Sequence, residues 1–213
     1  MVQMQSTGVP WLNIMNALEG LYLEIDQRAN ELFSFHAERD HCRQGCTGCC
    51  MDGITVFEVE AQNIIEQCHD LLDHGVPCPE GACPFLDTKG GCRIYMHRPY
   101  VCRTQGLPLR WLDETKTGDI VEMRDICPVN ETGPAIETLP TEQCWTIGPF
   151  ELRLAALQAL VSGNEMRRVP LRSLFIQSAK ENMRKVKTGQ DASSMEVDIE
   201  ICSYTQGDAK RNG

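Results

Sequence analysis

The chain lacks the features that would place it in a membrane or on a nucleic acid. No apolar run reaches the roughly 18 residues that can cross a bilayer, and the first residues have no basic and apolar stretch typical of a secretory signal. Lys and Arg number 20 against 30 Asp and Glu, and the net charge of −10 disfavours binding to a phosphate backbone. These absences predict a cytoplasmic protein that binds neither membrane nor nucleic acid.

The sequence also lacks the common motifs of enzyme active sites. It has no Gly-rich phosphate or dinucleotide loop and no His-Glu-x-x-His helix. Cys42, Cys46 and Cys49 do satisfy the bare cysteine spacing of radical S-adenosylmethionine enzymes. Cys50 follows at once, and the alternating strands and helices of the barrel used by those enzymes are missing, so we reject that class. Whether the protein is an enzyme stays open.

Cysteine, by contrast, is plentiful. The chain has 12 cysteines, and four of them fall within residues 42–50. Thiols in a reducing compartment gather for metal binding or catalysis, whereas those of an exported protein form disulfides. We favour the first interpretation because no secretory signal is evident. Soft thiolates bind Zn(II) or the iron of a cluster strongly, so this segment predicts a metal site.

The spacing within the cluster indicates how the sulfurs are arranged. Cys46-x-x-Cys49 has the two-residue gap of a chelating turn, and Gly45 and Gly48 permit the backbone that such a turn needs. Cys50 is adjacent to Cys49, and adjacent side chains rarely point at the same atom. We therefore expect these two cysteines to serve different irons, different metals, or one metal and the core.

Periodicity predicts a long first helix. From Trp11 to His36 apolar residues recur every three or four positions, with Pro10 at the first helical position. His36 lies on or beside this apolar stripe, and we interpret it as a packed, hydrogen-bonded histidine in preference to a ligand.

A second helix is predicted after the cysteine cluster. Thr55 and Glu58 have the spacing of a capping box, and the helix should end near Gly75. Cys68 falls on the apolar face of this helix. We interpret it as a buried small hydrophobic residue.

The remaining segments predict short strands and then helices. Hairpins are expected from residues 83–86 with 92–95, which would make Cys83 and Cys92 cross-strand neighbours, and from residues 107–112 with 120–123. Residues 128–148 are expected to form a loop. Helices should run from Pro149 to Gly163 and onward from Pro170. The resulting fold class is α+β and mainly helical, with two short β-hairpins packed on helices.

The combined cysteine pattern resembles a known family. Its pieces are Cys42, Cys46, Cys49 and Cys50, then Cys83-Pro-Phe-Leu, Cys92-Arg-Ile-Tyr, Arg98-Pro-Tyr-Val-Cys-Arg and Cys127-Pro. This pattern is similar to that of the YkgJ-type cysteine-cluster proteins, which are zinc- or iron-chelating domains, and it covers about residues 42–128. The resemblance implies a bacterial or archaeal cytosolic metal chelator, with an iron-sulfur cluster suspected. A flagellin lysine methylating branch shares a similar motif. Relatives commonly continue the Cys-Arg pair with an aromatic residue and proline, where this chain has Thr104-Gln-Gly-Leu.

The resemblance nominates eight candidate metal ligands: Cys42, Cys46, Cys49, Cys50, Cys83, Cys92, Cys102 and Cys127. One zinc or one [4Fe-4S] cluster takes four ligands, so eight thiols would serve two centres, or one multinuclear centre with supporting thiols.

Other polar residues near these cysteines have weaker claims. Arg93, Arg98 and Arg103 would lie beside the thiolates, offset their charge and bind the cofactor by hydrogen bonds. His41 and His97 are secondary ligand candidates. Cys78, Cys144 and Cys202 fall outside the matched pattern. Cys144, beside Trp145, is interpreted as a packing residue, with a partly exposed thiol or a ninth ligand as the alternatives.

The sequence as a whole predicts a single cysteine-cluster domain over residues 1–187, with a metal-binding core at 42–128 and a helical part at 149–187, followed by a flexible tail at 188–213. Its predicted function is to hold an iron-sulfur cluster, most simply [4Fe-4S], or iron, for electron transfer or metal handling. The alternatives are a zinc-binding structural module and a metal-dependent enzyme such as a methyl-transferring, oxidoreductase-like protein. The basic stretch 167–187 is a candidate surface for a protein partner, although a solvated helix face explains it as well.

Overall fold

The computed structural model describes residues 8–176, which fall into two compact units. Unit 1 is built from the segment that ends at Arg43, from Val56–Asn63 and from Arg98–Val169. Unit 2 is built from Gln44–Thr55, Ile64–His97 and the segment that begins at Pro170. The predicted tail, Cys202 and most of the basic stretch lie outside the described residues. The single domain over residues 1–187 therefore stays a prediction.

The predicted mainly helical α+β class is confirmed. The helices are α1 (Trp11–Phe35), α2 (Glu58–Gln67), α3 (His69–His74), α4 (Tyr100–Arg103) and α5 (Pro149–Ser162). The strands are β1 (Thr55–Phe57), β2 (Leu109–Glu114), β3 (Ile120–Asp125), β4 (Trp145–Thr146) and β5 (Arg168–Pro170). Short 3-10 turns occupy Tyr95–His97, Pro128–Asn130, Ile136–Thr138 and Thr141–Gln143. Residues 171–176 are helical up to the end of the described range.

Helix α1 follows the predicted periodicity. Pro10 caps its first turn from just outside the helix, and the backbone N–H of His36 closes its last turn on the carbonyl of Leu32. The apolar stripe is buried in unit 1, where α5 packs against α1. The stripe residues that are buried are Ile14, Leu18, Leu21, Tyr22, Ile25, Ala29 and Leu32.

The predicted start of the second helix is wrong by two residues. Thr55 lies in β1, which forms a two-stranded sheet with β5, so it does not cap a helix. Helix α2 begins at Glu58, and the Glu60 carboxylate accepts the backbone N–H of Phe57 at 3.2 Å. A carboxylate therefore does close the first turn, as in a capping box. Strand pairing has moved the helix start beyond Thr55.

Cys68 interrupts the predicted second helix. Its backbone angles of φ −126° and ψ 27° separate α2 from α3, and its side chain is half-buried. The interpretation of Cys68 as a buried residue inside one continuous helix is therefore wrong. Helix α3 ends at His74 before Gly75, as predicted.

The first predicted hairpin is reduced to a single antiparallel bridge between Leu86 and Cys92. The Asp87 carboxylate accepts the backbone N–H groups of Lys89 and Gly91, at 2.8 Å and 2.7 Å, and this tight turn leaves little room for a ladder. Because Cys92 pairs with Leu86, the predicted cross-strand pairing of Cys92 with Cys83 is wrong.

The second predicted hairpin is confirmed, with shifted ends. Strands β2 and β3 are antiparallel, with Leu109 opposite Asp125 and Glu114 opposite Ile120. A third strand was not predicted: β4 lies parallel to β2 and pairs Trp145 with Leu109. Residues 128–148 are therefore more ordered than the predicted loop.

Buried polar side chains fix α4 within unit 1. Glu60, which is 3% exposed, accepts the Tyr22 hydroxyl at 2.9 Å and the backbone N–H of Tyr100 at 2.8 Å. The indole N–H of Trp145 donates to the Tyr100 hydroxyl, which in turn donates to Glu151. Buried polar groups are stable when they are paired in this way. This network positions the short helix that carries Cys102.

Candidate metal centre

Five of the eight predicted ligands lie in unit 2. They are Cys46, Cys49, Cys50, Cys83 and Cys92. The loop that carries the first three is turned by a hydrogen bond from the Cys50 N–H to the Thr47 carbonyl, at 2.9 Å. This loop packs on the turn that precedes Cys92. A Cβ at Gly90, where φ is +76°, would lie 3.1 Å from Thr47 Cγ2 and 3.3 Å from the Cα of Gly45, so the close approach requires glycine.

A backbone hydrogen bond joins the loop to the segment of Cys83. The Cys83 N–H donates to the Cys50 carbonyl at 2.9 Å, and an antiparallel bridge joins Met51 to Ala82 beside it. The bridge from Leu86 to Cys92 continues the same segment. Three stretches that are distant in sequence, each with candidate thiols, are thus linked by main-chain contacts.

The adjacent thiols of Cys49 and Cys50 are hydrogen-bonded to each other. This hydrogen bond is the main reason why the pKa of Cys49 is lowered to about 6, although partial burial opposes it. A thiol with a lowered pKa is largely thiolate at neutral pH, which is the form that binds metals. Whether the two sulfurs serve one metal or two stays a prediction.

Two further thiols lie near Cys92. Burial raises the pKa of Cys83, which is 7% exposed, and the charge of Cys92 raises it further. Burial also raises the pKa of Cys68, and Cys92 is again the neighbouring charge. Sequence analysis missed Cys68 as a candidate because it assigned that residue to a buried helix face. Its place at the break between α2 and α3 depends on tertiary contacts.

An arginine that the sequence did not single out holds the segment before Cys83. Arg172 Nε donates to both carboxylate oxygens of Asp52, at 2.8 Å and 3.0 Å. Its Nη1 donates to the Cys78 carbonyl at 2.7 Å, and its Nη2 to those of Pro79 and Ala82 at 3.1 Å and 2.8 Å. This side chain therefore ties the region after Cys50 to the residues that lead into Cys83. Cys78 itself is fully buried.

The other three predicted ligands, Cys42, Cys102 and Cys127, lie in unit 1. Asn130, which is 1% exposed, connects two of them. Its Nδ2 donates to the Sγ of Cys42 at 3.4 Å, and its backbone N–H donates to the carbonyl of Cys127 at 2.8 Å. Its Oδ1 accepts the backbone N–H of His41 at 2.9 Å. The exposed Cys42 is therefore oriented by a buried amide.

The predicted arginines have partners other than thiols. Arg98 and Arg103 both pair with Asp26, and the Arg103 guanidinium lies 3.9 Å from the centre of the Tyr22 ring. In unit 2, Arg93 donates to the carbonyls of Val76 and Pro84, at 2.8 Å and 2.7 Å. A role beside thiolates stays a prediction for all three.

The secondary candidates are placed as follows. His36 is buried, and its Nε2 donates to the Gln143 carbonyl at 2.7 Å, as expected of a packed histidine. Cys144 is 3% exposed and donates to the Pro140 carbonyl at 3.7 Å, with Arg124 Nη1 at 3.6 Å from its sulfur. His41 is exposed and His97 is half-buried.

Within residues 8–176, no three Cys, His, Asp or Glu side chains are arranged so as to hold a metal ion. The donor chemistry nevertheless fits zinc or iron, because unit 2 supplies five of the predicted thiol ligands, two of them hydrogen-bonded, on loops joined by backbone contacts. Zinc and iron-sulfur clusters both accept sets made entirely of cysteine.

The fold and the donor set define a thiol-rich metal-binding protein. The CxxCxxCC family model, described as a putative zinc- or iron-chelating domain, matches residues 41–128. The match of this model to residues 41–128 confirms the YkgJ-type resemblance expected from the cysteine pattern. No curated protein and no solved structure matches the chain. Among the described residues, no helix is long and apolar enough to cross a membrane.

Proposed function

We propose that the cysteines of unit 2 hold an iron-sulfur cluster, most simply [4Fe-4S], through their thiolates. The observation that carries this proposal is the hydrogen bond from the Cys83 N–H to the Cys50 carbonyl, because it joins two of the three cysteine segments of that unit at ligand positions. Five candidate thiols are available there, and a cluster needs four. The bound cluster would supply one-electron transfer.

The residues around the thiols support the site in distinct ways. Gly90 lets the loop 44–50 approach the turn before Cys92, and Arg172 fixes the segment that leads into Cys83. Backbone N–H groups beside thiolates favour the charged sulfur by hydrogen bonding. A pre-ordered loop also loses less conformational entropy when its thiols are bound to metal.

Zinc is the second candidate, and the pair Cys46-x-x-Cys49 favours it. Two thiols with this gap are typical of closed structural zinc sites. A site of this kind would stabilise the loops of unit 2 and would make the protein a structural or interaction module. An enzymatic role, mononuclear iron, the cytoplasmic location and a protein partner for the basic stretch 167–187 also stay predictions.

Anaerobic purification of the full chain from metal-replete cells tests the proposal. We expect iron and acid-labile sulfide in equal amounts, with broad visible absorption that bleaches on reduction. Zinc in a colourless protein would favour the second candidate. A well-folded protein that contains neither metal would refute both.

Single substitutions identify the ligands. Cys49→Ser and Cys83→Ser should each lower the metal content strongly, because serine replaces a soft ligand with a hard one. Cys144→Ser is the matched control, since this buried thiol lies in unit 1 and bonds to a carbonyl. Equal metal content in all three variants would remove Cys49 and Cys83 from the ligand set.

A further inference from the structure

Unit 1 contains a cleft of about 440 Å³ that plays no part in the proposed thiolate centre. Its lining comes from the end of α1 and the residues after it, and from the segment 132–143. The residues that matter for its chemistry are Phe35, His36, Arg39, His41, Pro134 and Leu139. A volume of several hundred Å³ is typical of sites for small molecules.

Arg39 is the unusual member of this lining. It is 5% exposed, and its Nη2 donates to the Pro134 carbonyl at 2.6 Å. Its Nη1 is also buried and has no hydrogen-bond partner in the described part of the chain. None of the ion pairs formed by residues 8–176 includes Arg39. A guanidinium stays charged at any physiological pH, so this is a buried positive charge without a carboxylate.

Such an arrangement is unfavourable unless an anion completes it. A buried charge is destabilising when it is left without a partner, and a buried donor without an acceptor adds to the cost. The hydrogen bond to Pro134 holds the guanidinium in place. The planar guanidinium presents paired donors that match the two oxygens of a carboxylate or phosphate.

The rest of the cleft suits a small organic anion. Phe35 and Leu139 provide apolar surface, and the Phe35 ring meets the His36 ring edge-on with centroids 5.2 Å apart. The Nε2 of His36 donates to the Gln143 carbonyl, which fixes that ring as part of the wall. Glu38 is the acidic residue of the lining, and it is exposed.

We propose that this cleft binds a small molecule through a carboxylate or phosphate group that pairs with Arg39. The anionic group pairs with the positive charge of the Arg39 guanidinium, and the apolar part of the ligand packs against Phe35 and Leu139. This site is separate from the metal-binding proposal and does not depend on it.

Titration of the full-length, metal-loaded protein with benzoate and with inorganic phosphate tests the proposal, with sodium chloride at equal ionic strength as the reference. In ¹H–¹⁵N spectra, the guanidinium resonances of Arg39 should shift in a saturable way with at least one probe, and the melting temperature should rise with the same probe. A shift with benzoate alone assigns an organic carboxylate, and one with phosphate alone assigns a phosphate group. No saturable shift at millimolar concentration of either probe refutes the site.

Two variants separate binding from a structural role of the arginine. Arg39→Met should abolish the rise in melting temperature caused by the probe. Without probe, the variant should melt close to wild type, because removal of an unpaired buried charge offsets the lost hydrogen bond to Pro134. Arg153→Met is the control, since this exposed arginine pairs with Glu24 elsewhere in unit 1. An unchanged response in Arg39→Met overturns the proposal. If that variant does not fold, the titration of the wild-type protein decides whether the site exists: a saturable shift of the Arg39 resonances supports the site, and its absence refutes it.

Discussion

Arg172 should control the order of the residues that lead into Cys83. Replacing it with methionine keeps most of the apolar stem and removes every donor. Three backbone carbonyls and the Asp52 carboxylate lose the hydrogen bonds that Arg172 donates. The net contribution of one hydrogen bond to the free energy of unfolding is about 1 kcal/mol, and it is somewhat larger when one partner is charged. Because the ion pair is 20% and 24% exposed, water replaces part of the loss, and we expect a local cost of about 2–4 kcal/mol.

Amide hydrogen exchange of the metal-free protein measures this loss of stability at the individual residues of the Cys83 segment. The Cys83 N–H, bonded to the Cys50 carbonyl, and the Leu86 N–H, bonded to the Cys83 carbonyl, report on the segment. Since about 1.4 kcal/mol corresponds to a factor of ten, both amides should exchange roughly 30 to 700 times faster in Arg172→Met. Arg172→Lys keeps the charge but not the planar donors, so its exchange rates at both amides should lie between those of the wild-type protein and those of Arg172→Met.

The control and the pH dependence sharpen the test. Arg153→Met breaks an exposed pair in unit 1 and should leave both amides unchanged. The hydrogen bond from Arg172 lowers the pKa of Asp52, so the pair stabilises the folded state above the ordinary aspartate pKa. The difference between wild type and variant should shrink as the pH falls through the folded-state pKa. Unchanged exchange of Cys83 and Leu86 in Arg172→Met would refute the reasoning.

Three further outcomes are expected. Gly106→Ala should destabilise unit 1 and displace Cys42, because φ is +96° at Gly106 and a Cβ would lie 2.6 Å from the Cys42 sulfur. A thiol reagent should then label Cys42 faster than in the wild-type protein. An unchanged labelling rate would contradict this prediction. Glu60→Gln should lower the free energy of unfolding by about 1–3 kcal/mol, because the amide NH₂ cannot accept from Tyr100 or Phe57. Burial raises the pKa of Glu60 in the folded state. The decrease in the free energy of unfolding, measured with urea, should therefore be greatest below the ordinary glutamate pKa and smaller as the pH rises through the folded-state pKa. Removing metal with a chelator should expose the loop 44–50 to proteolysis, and an unchanged cleavage pattern would argue against ligation by that loop.

The sequence alone was sufficient for elements that depend on local pattern. Helix α1 follows from apolar residues at helical spacing, and α5 from Pro149 at its start and Gly163 at its end. The antiparallel pairing of β2 with β3 follows from a short turn between two apolar segments. The match to the metal-chelating family model was predicted from the order and spacing of the cysteines, because a chelating motif depends on residues that are close together in the sequence.

Other features depend on contacts with residues that are distant in the sequence, and no local pattern predicts those contacts. Thr55 has the residues of a helix cap around it, but pairing of β1 with β5 places it in a strand. Cys68 lies at a helix break near Cys92, and Arg172 meets its carbonyl partners about 90 residues away in sequence. Arg39 has nothing in its local sequence that predicts a buried charge beside a cleft.

The division between the two groups has a physical cause. Helical periodicity, turn chemistry and ligand spacing act over a few residues, so the sequence determines them directly. Burial, charge pairing and the meeting of distant thiols arise only when segments far apart in the chain are packed together. Tertiary structure alone therefore decided that Arg172 holds the Cys83 segment and that Arg39 is buried beside the cleft.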